Sequence, residues 1–270
     1  MGILPPFIED NVTDALIQWS KWRRPIVYPD DTFLVSYPRS GNTWMRFLIT
    51  NLIYPGEPTT FLNLERRMPD IHVHPDIHLR RFTRPRFLKS HKCFDPRYKR
   101  IIYVVRDPRD VAVSFYHHSI RNRWIPENYP ISSFVARWME AEWHPEYGTW
   151  AEHVRIWLEM RSGRPGFFLL RYRELHSNPR EVLAKIAGFL GIERSNEQIL
   201  RAIELSDADH MRTLEKKQQR RWVETRRCRL DKPFVRKATV GNWRTELPRE
   251  SIELIESAWG PLIRKLGFPL

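Results

Sequence analysis

The chain has 270 residues, of which 41% are hydrophobic and 13% aromatic, and its formal net charge is +13. This composition excludes a disordered or fibrous chain, and the length suffices for one large core or two modest ones. No apolar run approaches the about 18 residues a membrane span needs, and no internal repeat is present.

The first ten residues, Met1 to Asp10, have no basic stretch ahead of an apolar one, so no secretory leader is expected. Asp31 to Tyr37 reads as a short buried strand, ended by Pro38. From Thr43 to Tyr54 the apolar residues Trp44, Phe47, Leu48 and Leu52 have helical spacing, and Pro55 and Gly56 close the unit. Pro55 to Arg86 is less regular, with several prolines and the histidines His72, His74 and His78. These lack cysteines or a helix-spaced pair, so they read as solvated loop residues and no metal site is expected.

Arg100 to Arg106 is a near-continuous apolar run of the kind buried on both faces of a parallel sheet. Asp107 can cap the helix that follows, with Pro108 in its first turn. A third strand, Phe167 to Tyr172, precedes a helix from about Asn178 to Leu190, which Gly191 ends. Ser206 to Arg244 is long and rich in Arg and Lys, and a final amphipathic helix follows Pro248. Alternating strands and helices predict an α/β fold with a central parallel sheet flanked by helices. With no linker in sight, the chain reads as one domain over residues 1–270. Only Cys93 and Cys228 are present, which fits the reducing cytoplasm.

The charge alone favours an anionic partner, but a basic surface kept for solubility fits it equally well. More is carried by Tyr37 to Trp44, where a strand ends, the chain turns through Ser40 and Gly41, and a helix begins. Backbone N–H groups at a helix start make an anion site, Gly41 permits close approach, and Arg39 adds a forked cation. Ser40, Asn42 and Thr43 add side-chain donors. Taken alone, the loop is as consistent with an ordinary turn and cap. It is not a Walker A loop, since Gly-x-x-x-x-Gly-Lys-Ser/Thr occurs nowhere, and this disfavours a kinase.

The segment resembles the 5′-phosphosulfate loop of the cytosolic-type sulfotransferases, Tyr-Pro-Lys-Ser-Gly-Thr-Thr-Trp, with Arg39 in place of Lys and Asn42 in place of Thr. Three further segments match in the family's order. Lys89-Ser90-His91 is similar to the segment that supplies the base. Tyr103 to His118 is similar to the strand and helix that bind a 3′-phosphate. Arg236 to Arg244 resembles Arg-Lys-Gly-x-x-Gly-Asp-Trp-Lys, with Ala238 in place of Gly. A weaker match is Tyr172-Arg173-Glu174-Leu175.

The resemblance implies a P-loop-like fold and transfer of a sulfuryl group from 3′-phosphoadenosine 5′-phosphosulfate (PAPS), leaving the bisphosphate PAP, with no metal. His91 would be the base, and Lys89 and Arg39 would stabilise developing charge. Arg39, Ser40, Gly41, Asn42 and Thr43 would hold one phosphate; Arg106, Ser114, Arg236, Lys237 and Ala238 would hold the other. Tyr172 and Ser206 are further nucleotide contacts on this reading. Trp44 could face the adenine, or be a core residue of its helix. Where the family has an aromatic residue before a Met, this chain has Ala208 ahead of Met211, which leaves half of an adenine stack unassigned.

A small-metabolite kinase and a basic nucleic-acid-binding module remain as alternatives. The module has only Trp222, Phe234 and Trp243 as aromatics between residues 212 and 244, and Trp243 falls in a matched segment. The acceptor is read only as a small molecule: aromatic, lipid-like or sugar. Its pocket is expected from residues 55–86 and 122–149, with Trp124, Trp138 and Trp143 in the second stretch and Trp150 directly after it.

Overall fold

The computed structural model describes residues 25–222, 225 and 228–270. Met1 to Asp10, where no leader is expected, lies outside the described residues, as do residues 223, 224, 226 and 227 of the basic stretch.

Four strands, β1 (Thr32–Ser36), β2 (Phe87–Ser90), β3 (Arg100–Val105) and β4 (Phe167–Arg171), form a parallel sheet in the order β2-β1-β3-β4. The helices are α1 (Asn42–Ile53), α2 (Leu64–Arg67), α3 (Asp76–Leu79), α4 (Pro108–Arg121), α5 (Ile131–Met139) and α6 (Trp150–Arg161). They continue with α7 (Tyr172–Ser177), α8 (Pro179–Leu190), α9 (Asn196–Glu204), α10 (Ala208–Gln218), α11 (Trp243–Glu246) and α12 (Arg249–Lys265).

The central strands are unbroken apolar runs because both sheet faces are covered. Side chains alternate across a strand, so Phe33, Val35, Tyr103 and Val105 enter one core while Leu34, Ile102 and Val104 enter another. Trp138, Trp150 and Trp157 and the α12 residues Ile255, Trp259 and Ile263 complete the first core. Met45, Leu48 and Leu52 of α1 pack with Leu183 and Ile186 of α8 in the second.

Helix starts follow the local chemistry. The Asp107 carboxylate accepts the Arg109 N–H at 3.0 Å, with Pro108 in the first turn of α4. Gly191 ends α8 in the left-handed region, at φ 70°.

Three regions depart from expectation. The irregular stretch from Pro55 leads into an edge strand, β2, that pairs with β1 from Thr32↔Phe87 to Val35↔Ser90. Its short helix α2 is tied by polar contacts, since the buried Arg46 of α1 holds Glu65 at 2.5 Å, and so shows no apolar periodicity. In the basic stretch, α10 is anchored by buried Glu215, whose carboxylate accepts the N–H groups of Phe234 and Val235 at 2.6 and 3.0 Å. Trp138 and Trp150 are core residues and not pocket walls; they lie on the inward faces of α5 and α6 and donate to Tyr37 Oη and the Arg106 carbonyl.

The entry to β1 depends on a fully buried ion pair. Arg86 donates to Asp31 through Nε at 2.8 Å and Nη2 at 2.5 Å, and to the carbonyls of Leu79 and Ile26. Replacing Arg86 by Met strands a buried carboxylate, and the expected cost is about 3–5 kcal/mol. Urea unfolding checks this: the midpoint falls while the slope stays unchanged.

Candidate active site

The parallel register brings the carboxyl ends of β1, β2, β3 and β4 to one edge of the sheet, where open α/β sheets bind ligands. At the end of β1 the chain turns through two left-handed residues, Arg39 (φ 66°) and Gly41 (φ 94°), into α1. Gly41 is the N-cap and makes no side-chain cap, so the first N–H groups of α1 have no capping side chain. Glycine is required here twice over. Its φ suits no other residue without strain, and a Cβ would lie 2.3 Å from the ring of Tyr172. Asn42 turns its amide to Ser36 Oγ at 3.1 Å. Ser40 Oγ is buried with no hydrogen-bond partner among the described residues, a donor without an acceptor beside a helix start.

Cations ring this loop. Arg39 Nε donates to Ser114 Oγ at 3.4 Å, and its guanidinium lies 5.0 Å from the centre of the Phe234 ring. Arg106 donates to the carbonyls of Arg39 (3.3 Å) and Thr239 (3.0 Å) and stacks 4.5 Å over Tyr172. Its Nε is buried and has no partner among the described residues. Together these orphaned donors fit a polyanionic ligand.

The Arg236 to Ala238 segment is docked from three sides. Arg212 donates to the carbonyls of Val235, Arg236 and Lys237. The Asp110 carboxylate of α4 accepts the N–H groups of Gly241 and Trp243. Glu246 takes Arg236 (2.9 Å), Lys237 (3.0 Å) and His117 (2.7 Å) on one carboxylate. Partial burial would raise the Glu246 carboxyl, but Arg236 and Lys237 hold it at about 2. Ala238 has φ 54° and so carries a strain, of roughly 1–2 kcal/mol, that glycine would avoid.

At the end of β2 the chain places Lys89 and His91. His91 Nδ1 donates to the Ser36 carbonyl at 2.8 Å, which fixes the tautomer and leaves Nε2 with its lone pair. Burial, with the Lys89 ammonium nearby, holds this imidazole well below the usual histidine value. It is therefore neutral at pH 7 and able to take a proton.

The support comes from residues 69–72, which run along the outer edge of β2. Lys89 N–H donates to the Pro69 carbonyl, and Ile71 N–H donates to the Lys89 carbonyl. Asp70 forms an ion pair with Lys89 and accepts the His72 N–H, while His72 Nε2 accepts the His91 N–H at 2.9 Å. Burial would raise the Asp70 carboxyl, yet Lys89, His72 and His91 hold it below the ordinary carboxylate range. His72 is thus not a solvated loop residue. Only the register of its segment on β2 reveals its role, and no sequence spacing encodes that register.

Of the expected site residues, Arg39, Gly41, Asn42, Thr43, Trp44, Lys89, His91, Arg106, Ser114, Tyr172, Arg236, Lys237 and Ala238 line one cleft of about 620 Å³. Ser40 and Ser206, both fully buried, are not among its lining residues. Ser206 Oγ is spent in the core, donating to the Ala202 carbonyl and accepting from Asn51, while the Ser206 carbonyl holds Trp44 Nε1 at 2.9 Å. The cleft also takes residues that motif reading passed over: Phe234, and the group Phe115, His118, Trp124, His144 and Tyr147. Of the four tryptophans expected in the acceptor pocket, Trp124 lines the cleft.

A family model described as a sulfotransferase domain matches residues 29–267. Sulfotransferase 1B1 of Mus musculus is 25% identical over 259 residues, covering 90% of this chain and 86% of the relative. Sulfotransferase 1E1 of Bos taurus is 29% identical over 231 residues, covering 80% of this chain and 77% of the relative. Among solved structures, retinol dehydratase in complex with androsterone and the inactive cofactor PAP superposes with a TM-score of 0.73 at 22% identity. It covers 88% of this chain and 82% of that one. A mouse sulfotransferase complexed with PAP gives 0.71 at 22% identity, covering 89% and 86%. At this identity the two structures bear on the fold.

Gly41→Ala is expected to cost at least the roughly 1–2 kcal/mol of a left-handed non-glycine residue, with the Tyr172 clash added. A double-mutant cycle with Tyr172→Ala measures the clash: a coupling of 0.5 kcal/mol or more is expected for residues in contact.

Proposed function

The chain belongs to the sulfotransferase domain family, and on that footing we propose that it moves a sulfuryl group from PAPS to a hydroxyl or amine of a small-molecule acceptor. The observation that carries the reading is the tether of His91 Nδ1 to the Ser36 carbonyl, which leaves a neutral Nε2 beside the anion loop. The orphaned donors Ser40 Oγ and Arg106 Nε support two phosphate positions, one at the start of α1 and one between α4 and the Arg236 segment.

In this scheme His91 Nε2 takes the acceptor's proton as its oxygen or nitrogen bonds to sulfur. The bridging S–O bond of the donor breaks in line, and its electron pair leaves with the nucleotide as PAP. Arg39 and Lys89 stabilise the charge that develops on the bridging oxygen, with the first N–H groups of α1. Lys89 acts as a positioned cation because Asp70 fixes its ammonium. Arg106, Ser114, Arg236, Lys237 and Ala238 would hold the 3′-phosphate. We read the whole chain as one domain carrying this activity, and place it in the cytoplasm with no nucleic-acid partner. The aromatic and imidazole lining around Trp124 and His118 suits a planar or lipid-like acceptor.

Calorimetric titration with PAP is the first check, followed by an acceptor screen with labelled PAPS. Saturable PAP binding is expected, and its absence overturns the donor assignment. With an acceptor in hand, His91→Asn is expected to lower kcat by about 10²–10⁴ while PAP affinity holds. Because the base must be unprotonated and its pKa is depressed, the acid limb of kcat/KM should fall below the ordinary histidine value of 6.5. A limb at or above that value would remove His91 from the role. Arg39→Lys should not raise turnover at constant donor affinity; if it does, the chemistry needs a transferable proton and Arg39 is misassigned.

A further inference from the structure

The cleft lining is chemically mixed: it includes Arg39, Arg106 and Arg236 and also Trp44, Tyr172, His176 and the small apolar Ala208. Alanine at 208 offers no stacking surface. Two rings of this lining are fixed in place. Trp44 is held by its Nε1 bond to the Ser206 carbonyl, and Tyr172 is wedged between Arg106 and Gly41. A third ring joins them. His176 follows Tyr172 by four residues on α7, so both project from one helix face. Its imidazole centre lies 4.7 Å from that of Trp44 and 4.8 Å from that of Tyr172.

We infer that His176 contacts the base of the bound nucleotide, completing with Trp44 and Tyr172 a three-ring surface where Ala208 provides none. The inference rests on the donor reading above. Stacking on a planar ring is sequence-tolerant and substantial, and a neutral imidazole adds both a donor and an acceptor for the edge of a purine. Burial, with Arg106 nearby, lowers His176 to about 4, so the ring is uncharged at neutral pH and does not compete for the phosphates.

The test compares two probes on the full chain, PAP and inorganic pyrophosphate, by calorimetry. His176→Ala should weaken PAP on the order of tenfold, as expected for one lost base contact, and leave pyrophosphate affinity unchanged. His176→Phe should restore most of the PAP affinity. Unchanged PAP binding by His176→Ala, or an equal loss for both probes, overturns the inference. Failure of the wild-type chain to bind PAP at all is a different result and defeats the donor reading first.

Discussion

The candidate site hangs on one hydrogen bond, from His91 Nδ1 to the carbonyl of Ser36. Ser36 is the last residue of β1, and the chain beyond it becomes the anion loop. The same peptide end therefore fixes the proposed base and leads into the proposed phosphate site, so their separation is set by strand register and not by flexible side chains. That register is secured in turn by the burial of β1 between two cores, with Phe33 and Val35 on one face and Leu34 on the other. A one-residue slip of β1 would invert its faces and carry the loop away from His91.

Charge in the site is arranged in opposed sets. Lys89 faces Asp70, and Arg236 and Lys237 face Glu246. These carboxylates keep the cations positioned without long flexible excursions. A polyanion arriving in the cleft meets donors whose directions are already set, which lowers the ordering cost of binding. Arg106 is held differently, by two carbonyls and the face of Tyr172, so its full charge stays available.

The sheet and its major helices were legible because apolar runs buried on both faces and capped helix starts are local signals. Asp107 with Pro108, and Gly191 after α8, are examples that the structure repeats. The cleft residues in contiguous motifs were legible for the same reason. Asp70, His72 and Glu246 were not, because each makes its contact outside its own local segment. His72 reaches His91 only because residues 69–71 bridge to β2. Ser206 erred in the other direction: its place near the motif is real, but it serves through its carbonyl. The tryptophans misled because a large ring at helical spacing serves a core as readily as a pocket. Trp138 and Trp150 went to the core.

The bond between Trp44 and the Ser206 carbonyl spans 162 residues, that between Asp110 and Gly241 spans 131, and that between His117 and Glu246 spans 129. A chain leaving the ribosome has all four strands by residue 171, while the segments that close the cleft are still unmade. The sheet can assemble early, but the closed cleft awaits the last quarter of translation, and its closure bears the cost of long-range contacts. A product truncated before residue 236 would keep the strands, Lys89 and His91 and lack the clasp, so in this fold the order of synthesis separates making a scaffold from making an enzyme.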